Sequence, residues 1–154
     1  MPQDPQDASV LVQEAQAVAQ AQVEKEGRLL PGAYLLVRRN PQTGAPFTYP
    51  TAIASWAEAP FASAEDFETF VAQVRGEVER LDAMAVVLST EAMAEVDTPE
   101  GPLPQRVVVL RLEDETGIHW MHAPIEKGVD GGDRVGMFYA TPGVPDPIEK
   151  PLLS

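Results

Sequence analysis

Two histidines, His119 and His122, stand three residues apart, a spacing that suits a metal ion when both side chains lie on one face of a helix. The apolar residues around them, bounded by Gly117 and Pro124, are typical of a strand instead. On a strand, positions i and i+3 point to opposite faces. We therefore expect no metal site here, and the two histidines stay candidate contacts for a small ligand.

Two glutamates, Glu91 and Glu95, fall on one face of a predicted strand. Paired carboxylates do acid–base work only in a cleft, where burial separates their pKa values. Nothing in the sequence indicates such a cleft. If a hairpin joins Glu95 to Val107, Glu91 lies opposite Arg111, and this register favours a cross-strand ion pair over catalysis.

Other sequence motifs for catalysis or metal binding are missing. The segment Asp130–Asp133 has aspartates and glycines but not the spacing of a calcium loop, and is typical of a flexible turn. The chain has neither a nucleophile elbow nor a phosphate-binding or dinucleotide-binding glycine motif. We expect no catalytic residue, no metal and no cofactor, and an enzyme is the less favoured interpretation.

Composition narrows the function classes further. The chain has 154 residues, 11 Lys and Arg against 24 Asp and Glu, a net charge of -13 and no cysteine. Zinc-thiolate and disulfide chemistry are excluded, and so is a cysteine nucleophile. The charge disfavours binding to nucleic acid or to an anionic membrane. The acidic N-terminus lacks the basic region of a secretion signal, so we expect a cytoplasmic protein.

Two helices are predicted from periodicity and capping. Ser9–Lys25 has a thin stripe of mostly alanine, and Gly27 is expected to end this helix. The thin stripe predicts a helix that lies on a surface rather than at the centre of a core, or one that packs closely on something flat. Ser63–Leu81 has apolar residues at helical spacing, Ser63 as N-cap and acidic residues in its first turns.

The rest of the chain predicts strands and turns. Pro50 predicts an edge position or a break for the second strand, because proline lacks an N–H. The predicted strands are 32–39, 47–53, 84–97, 106–113, 118–125 and 134–140, with a loop at 98–105.

The element order α-β-β-α-β-β-β-β predicts an α+β domain. We expect a mainly antiparallel sheet of about five to six strands with two helices packed on one face. The domain covers residues 9–141, between a disordered N-terminus at 1–8 and an extended, proline-rich tail at 142–154.

The register of the hairpin before the histidines has two alternatives. A three-residue loop ending at Gly117 sets Leu112 opposite Trp120 and turns Trp120 and His122 toward the core. A two-residue loop sets Leu112 opposite Met121 and exchanges the roles of the histidines. We favour the first register, because it buries the side chain of Trp120 in the core.

The preferred hypothesis for function is a non-catalytic, acidic accessory protein. It binds another protein, or a second copy of itself, through an exposed sheet face and the proline-rich tail. The tail's apolar residues either anchor a partner or, as we favour, fold back on the sheet. The candidate contact residues are Glu91, Met93, Glu95, Arg111, Glu113, Ile148, Leu152 and Leu153.

Two alternatives stay open. One is an enzyme or small-ligand binder with a pocket between the helix at 63–82 and the sheet, using His119, His122 or Glu91. The other is a mimic of nucleic acid, since residues 63–82 and 84–115 together carry thirteen acidic and four basic residues.

Overall fold

The computed structural model describes residues 7–141, 145–148 and 150–153. Two helices and seven strands follow one another in this part of the chain, and neither helix is long and apolar enough to cross a membrane. The elements are α1 Ala8–Glu26, β1 Gly32–Arg39, β2 Pro46–Trp56, α2 Ala64–Leu81, β3 Ala83–Thr98, β4 Gly101–Asp114, β5 Gly117–Lys127, β6 Asp133–Val135 and β7 Tyr139–Ala140.

The strands form one sheet in the order β2-β1-β3-β4-β5-β6, and β7 pairs with β5. Every pairing is antiparallel. The predicted α+β class and element order are confirmed. The sheet has seven strands because the last predicted strand is divided into β6 and β7. The second strand lies at an edge, as Pro50 predicts.

Helix α1 covers one face of the sheet, called here the α1 face. The side chain of Asp7 accepts a hydrogen bond from the backbone N–H of Ser9 at 3.0 Å, so the helix begins before the predicted cap at Ser9. Gly27 ends it in the left-handed conformation, with φ of 75°. The fully buried stripe consists of Leu11, Ala15, Ala19 and Val23. Its two alanines let the helix lie close to the strands.

Helix α2 covers the opposite face, called here the α2 face. Ser63 caps its first turn, as predicted, by accepting a hydrogen bond from the backbone N–H of Asp66 at 3.2 Å. Its buried side chains, Val74, Val78 and Leu81, pack against β1 and β3. The described tail residues Ile148 and Leu152 join the same apolar cluster.

The helices cover opposite faces, whereas the sequence predicted one shared face. Tyr34 and Leu36 of β1 pack with α1, while Ala33, Leu35 and Val37 pack with α2. Neighbouring residues of a strand point to opposite sides, so an uninterrupted apolar run indicates burial on both faces. The apolar run in β1 therefore indicated burial on both faces, but the prediction of two helices on one face did not take it into account.

The β3–β4 hairpin is longer than predicted, and the loop expected at 98–105 is wrong. Pairing continues to Thr98 opposite Gly101, which leaves a turn of two residues. Pro102 and Pro104 therefore lie inside β4. The two prolines are two residues apart, so the N–H groups that they lack would both point to the same edge of the strand. No described strand pairs with that edge, because β5 pairs with β4 only after both prolines.

The β4–β5 hairpin differs from both predicted registers. Leu112 lies opposite His119, and Arg111 lies opposite Trp120. A slip of one residue moves every side chain to the other face. Trp120 and His122 consequently share the α2 face with Arg111, and Leu112 packs on the α1 side.

The terminal segments are described only in part. Residues 1–6 of the predicted disordered N-terminus lie outside the described residues, while Asp7 and Ala8 belong to the start of α1. Of the predicted extended tail, residues 142–144, 149 and 154 lie outside them as well.

Candidate functional site

A groove runs between α2 and the edge strand β2, on the α2 face. It forms because α2 packs mainly on β1 and β3 and leaves β2 only partly covered. The groove holds about 900 Å³ and continues along the segment that connects Trp56 to α2. A site in this region was predicted, but with a different set of residues.

The floor of the groove is apolar and aromatic. Leu35, Ile53 and Val74 line it from the two strands and the helix. Phe61 and Phe70 line it near the connecting segment, with ring centroids 5.3 Å apart. Such a floor accepts an apolar side chain and gives it favourable burial.

The charged residues that line the groove are all acidic. Glu58, Asp66 and Glu77 line it, and no lysine, arginine or histidine is among the described residues of its lining. Asp66 accepts a hydrogen bond from the backbone N–H of Ala62 at 2.8 Å, and Glu77 pairs with Arg80 outside the lining at 2.7 Å. The groove therefore favours a ligand that carries positive charge beside an apolar group.

Trp56 stands at the end of β2 beside the groove. Its indole N–H donates to the hydroxyl of Tyr34 at 3.2 Å, and the two rings meet edge to face. Gly32 makes room for it, since a Cβ there would lie 2.7 Å from the indole Cδ1. Trp56 stays 45% exposed, but its ring packs on Tyr34 and therefore lies on the α1 face, on the other side of the sheet from the floor of the groove.

The outer edge of β2 has backbone groups that no described strand pairs. The N–H of Ala57 donates to the carbonyl of Pro31 toward β1 at 2.8 Å. Backbone direction alternates along an antiparallel strand, so Ala52, Ala54 and Trp56 turn their N–H and C=O groups away from β1. No residue of β2 carries a charge that would repel an added strand.

The two histidines lie apart, as their strand spacing predicts. His119 is half-exposed, with Nε2 at 2.7 Å from Oγ1 of Thr116. His122 lies on the α2 face, where its Nδ1 bonds to Oγ1 of Thr141. Neither lines the groove, and the described residues contain no group of three or more side chains suited to a metal.

Glu91 pairs with Arg106, and the predicted pairing with Arg111 is wrong. The true register sets Glu91 opposite Val108, because the β3–β4 turn is shorter than expected. Arg106 binds both carboxylate oxygens of Glu91, at 2.9 and 3.0 Å. This hydrogen bonding with Glu91 raises the pKa of Arg106, and a bond to Asp133 adds to the effect.

Asp133, from the glycine-rich turn, also belongs to this ion cluster. It accepts from Lys127 at 2.7 Å and from Arg106 at 3.1 Å. The bond from Lys127, followed by that from Arg106, lowers the pKa of Asp133. We call Glu91, Arg106, Lys127 and Asp133 the root cluster, since they join the base of the β3–β4 hairpin to its neighbours.

Arg111 and Glu113 are buried under the tail, at 2% and 3% exposure. Arg111 binds Glu113 at 2.9 Å and Asp146 at 2.7 Å. Glu113 also accepts the backbone N–H groups of Leu152, at 3.0 Å, and Leu153. Burial disfavours the charge of Arg111, but bonds to both carboxylates outweigh it and raise the pKa.

The eight predicted contact residues do not form one surface. Glu91, Met93 and Glu95 follow one another on the α1 side of β3, whereas Arg111 and Glu113 lie on the other face. Of the tail residues, Ile148 and Leu152 are buried and Leu153 is partly buried. The tail folds back on its own sheet, which was the favoured alternative.

The groove residues were missed because they belong to segments that meet only in the fold. The proline at the β2 edge and the phenylalanines around α2 were visible signals, but their meeting depends on where α2 crosses the sheet. Comparison with known proteins adds no name to the site: no family model matches the chain, and neither a curated protein nor a solved structure is significantly similar to it.

Proposed function

We propose that the protein is a non-catalytic interaction protein that binds an extended segment of a partner protein. The segment adds as a strand to the outer edge of β2 and lays alternate side chains into the groove between β2 and α2. One observation carries this proposal: an uncharged strand edge with unpaired backbone groups lies beside an apolar groove.

The charge of the groove defines the partner segment. Its acidic residues favour lysine or arginine beside an apolar anchor. The proposal agrees with the prediction of an acidic interaction protein but assigns the contact to a different surface. The proposed surface does not include the predicted contact residues that fix the tail to the sheet, which are Arg111, Glu113, Ile148 and Leu152.

A displayed library of random peptides tests the proposal without a known partner. We expect the selected peptides to share an apolar residue two positions from Lys or Arg, because alternate side chains of a strand lie on the same face. Ala72→Arg fills the groove with bulk and positive charge from an exposed helix position, so it should abolish the selection. Ala21→Arg, at an exposed position of α1, is the matched control.

Selected peptides of random sequence, or equal binding to both variants, would contradict the proposal. Binding should also weaken as salt rises, because part of the attraction is between exposed charges.

A further inference from the structure

The β3–β4 hairpin extends beyond the rest of the sheet as a two-stranded arm. β1 pairs with β3 only as far as Ser89, and β5 pairs with β4 only from Val107. Residues 90–98 and 101–106 therefore pair with each other alone within the described sheet. We call residues 90–106 the arm.

One edge of the arm is blocked and the other is open. Pro102 and Pro104 lack an N–H, so in a regular ladder they cannot belong to hydrogen-bonded pairs with β3. Their partners Asp97 and Glu95 consequently turn their own N–H and C=O groups away from β4. By the same alternation, Met93 also turns its N–H and C=O groups away from β4. The β3 edge contains no proline, so these groups are available to another strand.

The side chains of the arm favour a particular partner. Glu95, Asp97 and Glu100 are exposed, and no lysine or arginine occurs from 92 to 105. Met93 is 63% exposed, and the register partners Val96 and Leu103 are exposed as well. A strand that alternates basic and apolar residues complements this pattern. A second copy of the arm would bring like charges together across the edge.

The root cluster holds the arm in place. Arg106 binds Glu91 and Asp133 and also donates to the carbonyl of Gly27 at 2.6 Å. The open edge is thus presented on a ribbon fixed at its base, which lowers the cost of ordering it on binding.

We propose that the open β3 edge of the arm is a second docking surface, which pairs with a basic β-strand of a different protein. It is separate from the β2 edge and the groove, so either surface can fail its test without affecting the other.

The test uses a short peptide of alternating lysine and valine as the probe, added to the full chain and followed by NMR. We expect shift changes and slowed amide exchange at Met93, Glu95 and Asp97. Glu95→Pro removes one outward N–H, as the prolines of β4 already do, and should weaken binding about tenfold or more. Glu95→Gln keeps that N–H and should weaken binding less, with a smaller salt dependence.

Asp97→Pro is a second blocking variant at an equivalent position, and circular dichroism of both variants verifies the fold. Equal peptide binding by Glu95→Pro, Asp97→Pro and the unchanged protein would overturn the proposal. So would a dimer, seen by sedimentation without peptide, that either proline variant dissociates, because the edge would then pair two copies.

Discussion

The two faces of the sheet are closed by different means. On the α1 face, one helix with a stripe of small residues packs from β1 across to β6, and its buried stripe has no exposed surface. On the α2 face, the cover is shared between α2 and the tail, and β2 is left open beside the groove. A cover made of two separate segments leaves room for a partner, whereas a single close-packed helix does not.

The largest effect should come from breaking the ion pairs that hold the tail on the α2 face. Arg111→Ala leaves Glu113 buried without its cation, which should cost about 3–5 kcal/mol in the free energy of unfolding. Arg38→Ala removes an ion pair to Asp82 with both side chains about half exposed, and should cost less than about 1 kcal/mol. Urea unfolding measures both, and equal losses would contradict the assigned burial.

The close packing of the α1 face is tested by adding volume. Ala19→Leu should destabilise the fold by about 1–3 kcal/mol, because Ala19 is fully buried against the strands. Ala21→Leu, at an exposed position of the same helix, should change the stability by less than about 0.5 kcal/mol. A neutral Ala19→Leu variant would show that α1 leaves more space than described.

The tail should loosen in acid. Burial alone would raise the pKa of Asp146, but hydrogen bonds from Arg111 and from the backbone N–H of Ile148 outweigh it and lower the pKa. The carboxylate therefore stabilises the fold above its unfolded pKa of about 4, and this contribution is lost as pH falls through the lower folded pKa. The stability difference between the unchanged protein and Asp146→Asn should shrink below about pH 4. A difference that stays constant down to about pH 2 would contradict this account.

The smallest effect is a gain of stability on the open side of the α2 face. A Cβ at Gly76 meets no atom of the described residues within 4 Å, so Gly76→Ala should stabilise α2 by about 0.5–1 kcal/mol. Gly32→Ala should have the opposite sign, because its Cβ would collide with Trp56. Thermal unfolding compares the two variants, and a loss of stability in Gly76→Ala would show that the groove is filled.

Local signals in the sequence predicted much of the fold. The periodicity of α2, the Ser63 cap and the Gly27 stop depend on neighbouring residues, so they could be recognised without the rest of the molecule. The edge position of β2 followed from the missing N–H of Pro50.

Predictions that depended on register or on long-range packing failed. Pro102 and Pro104 indicated a loop, because their compatibility with a strand depends on which side of β4 has a neighbour. The predicted Glu91 pairing failed in consequence, because the loop expected at 98–105 set the wrong register between β3 and β4. The prediction of the site residues also failed, since the groove exists only where α2 crosses the sheet. Chemistry-bearing residues such as His119 and His122 gave no indication of it.

The central claim, that β2 accepts a partner strand, is tested most directly by Ala54→Pro. The variant removes an outward N–H of the β2 edge, whereas Ala54→Ser keeps it. With a peptide selected from the displayed library, calorimetry should show binding retained by Ala54→Ser and weakened about tenfold or more in Ala54→Pro. Equal affinity of the two folded variants would contradict the claim.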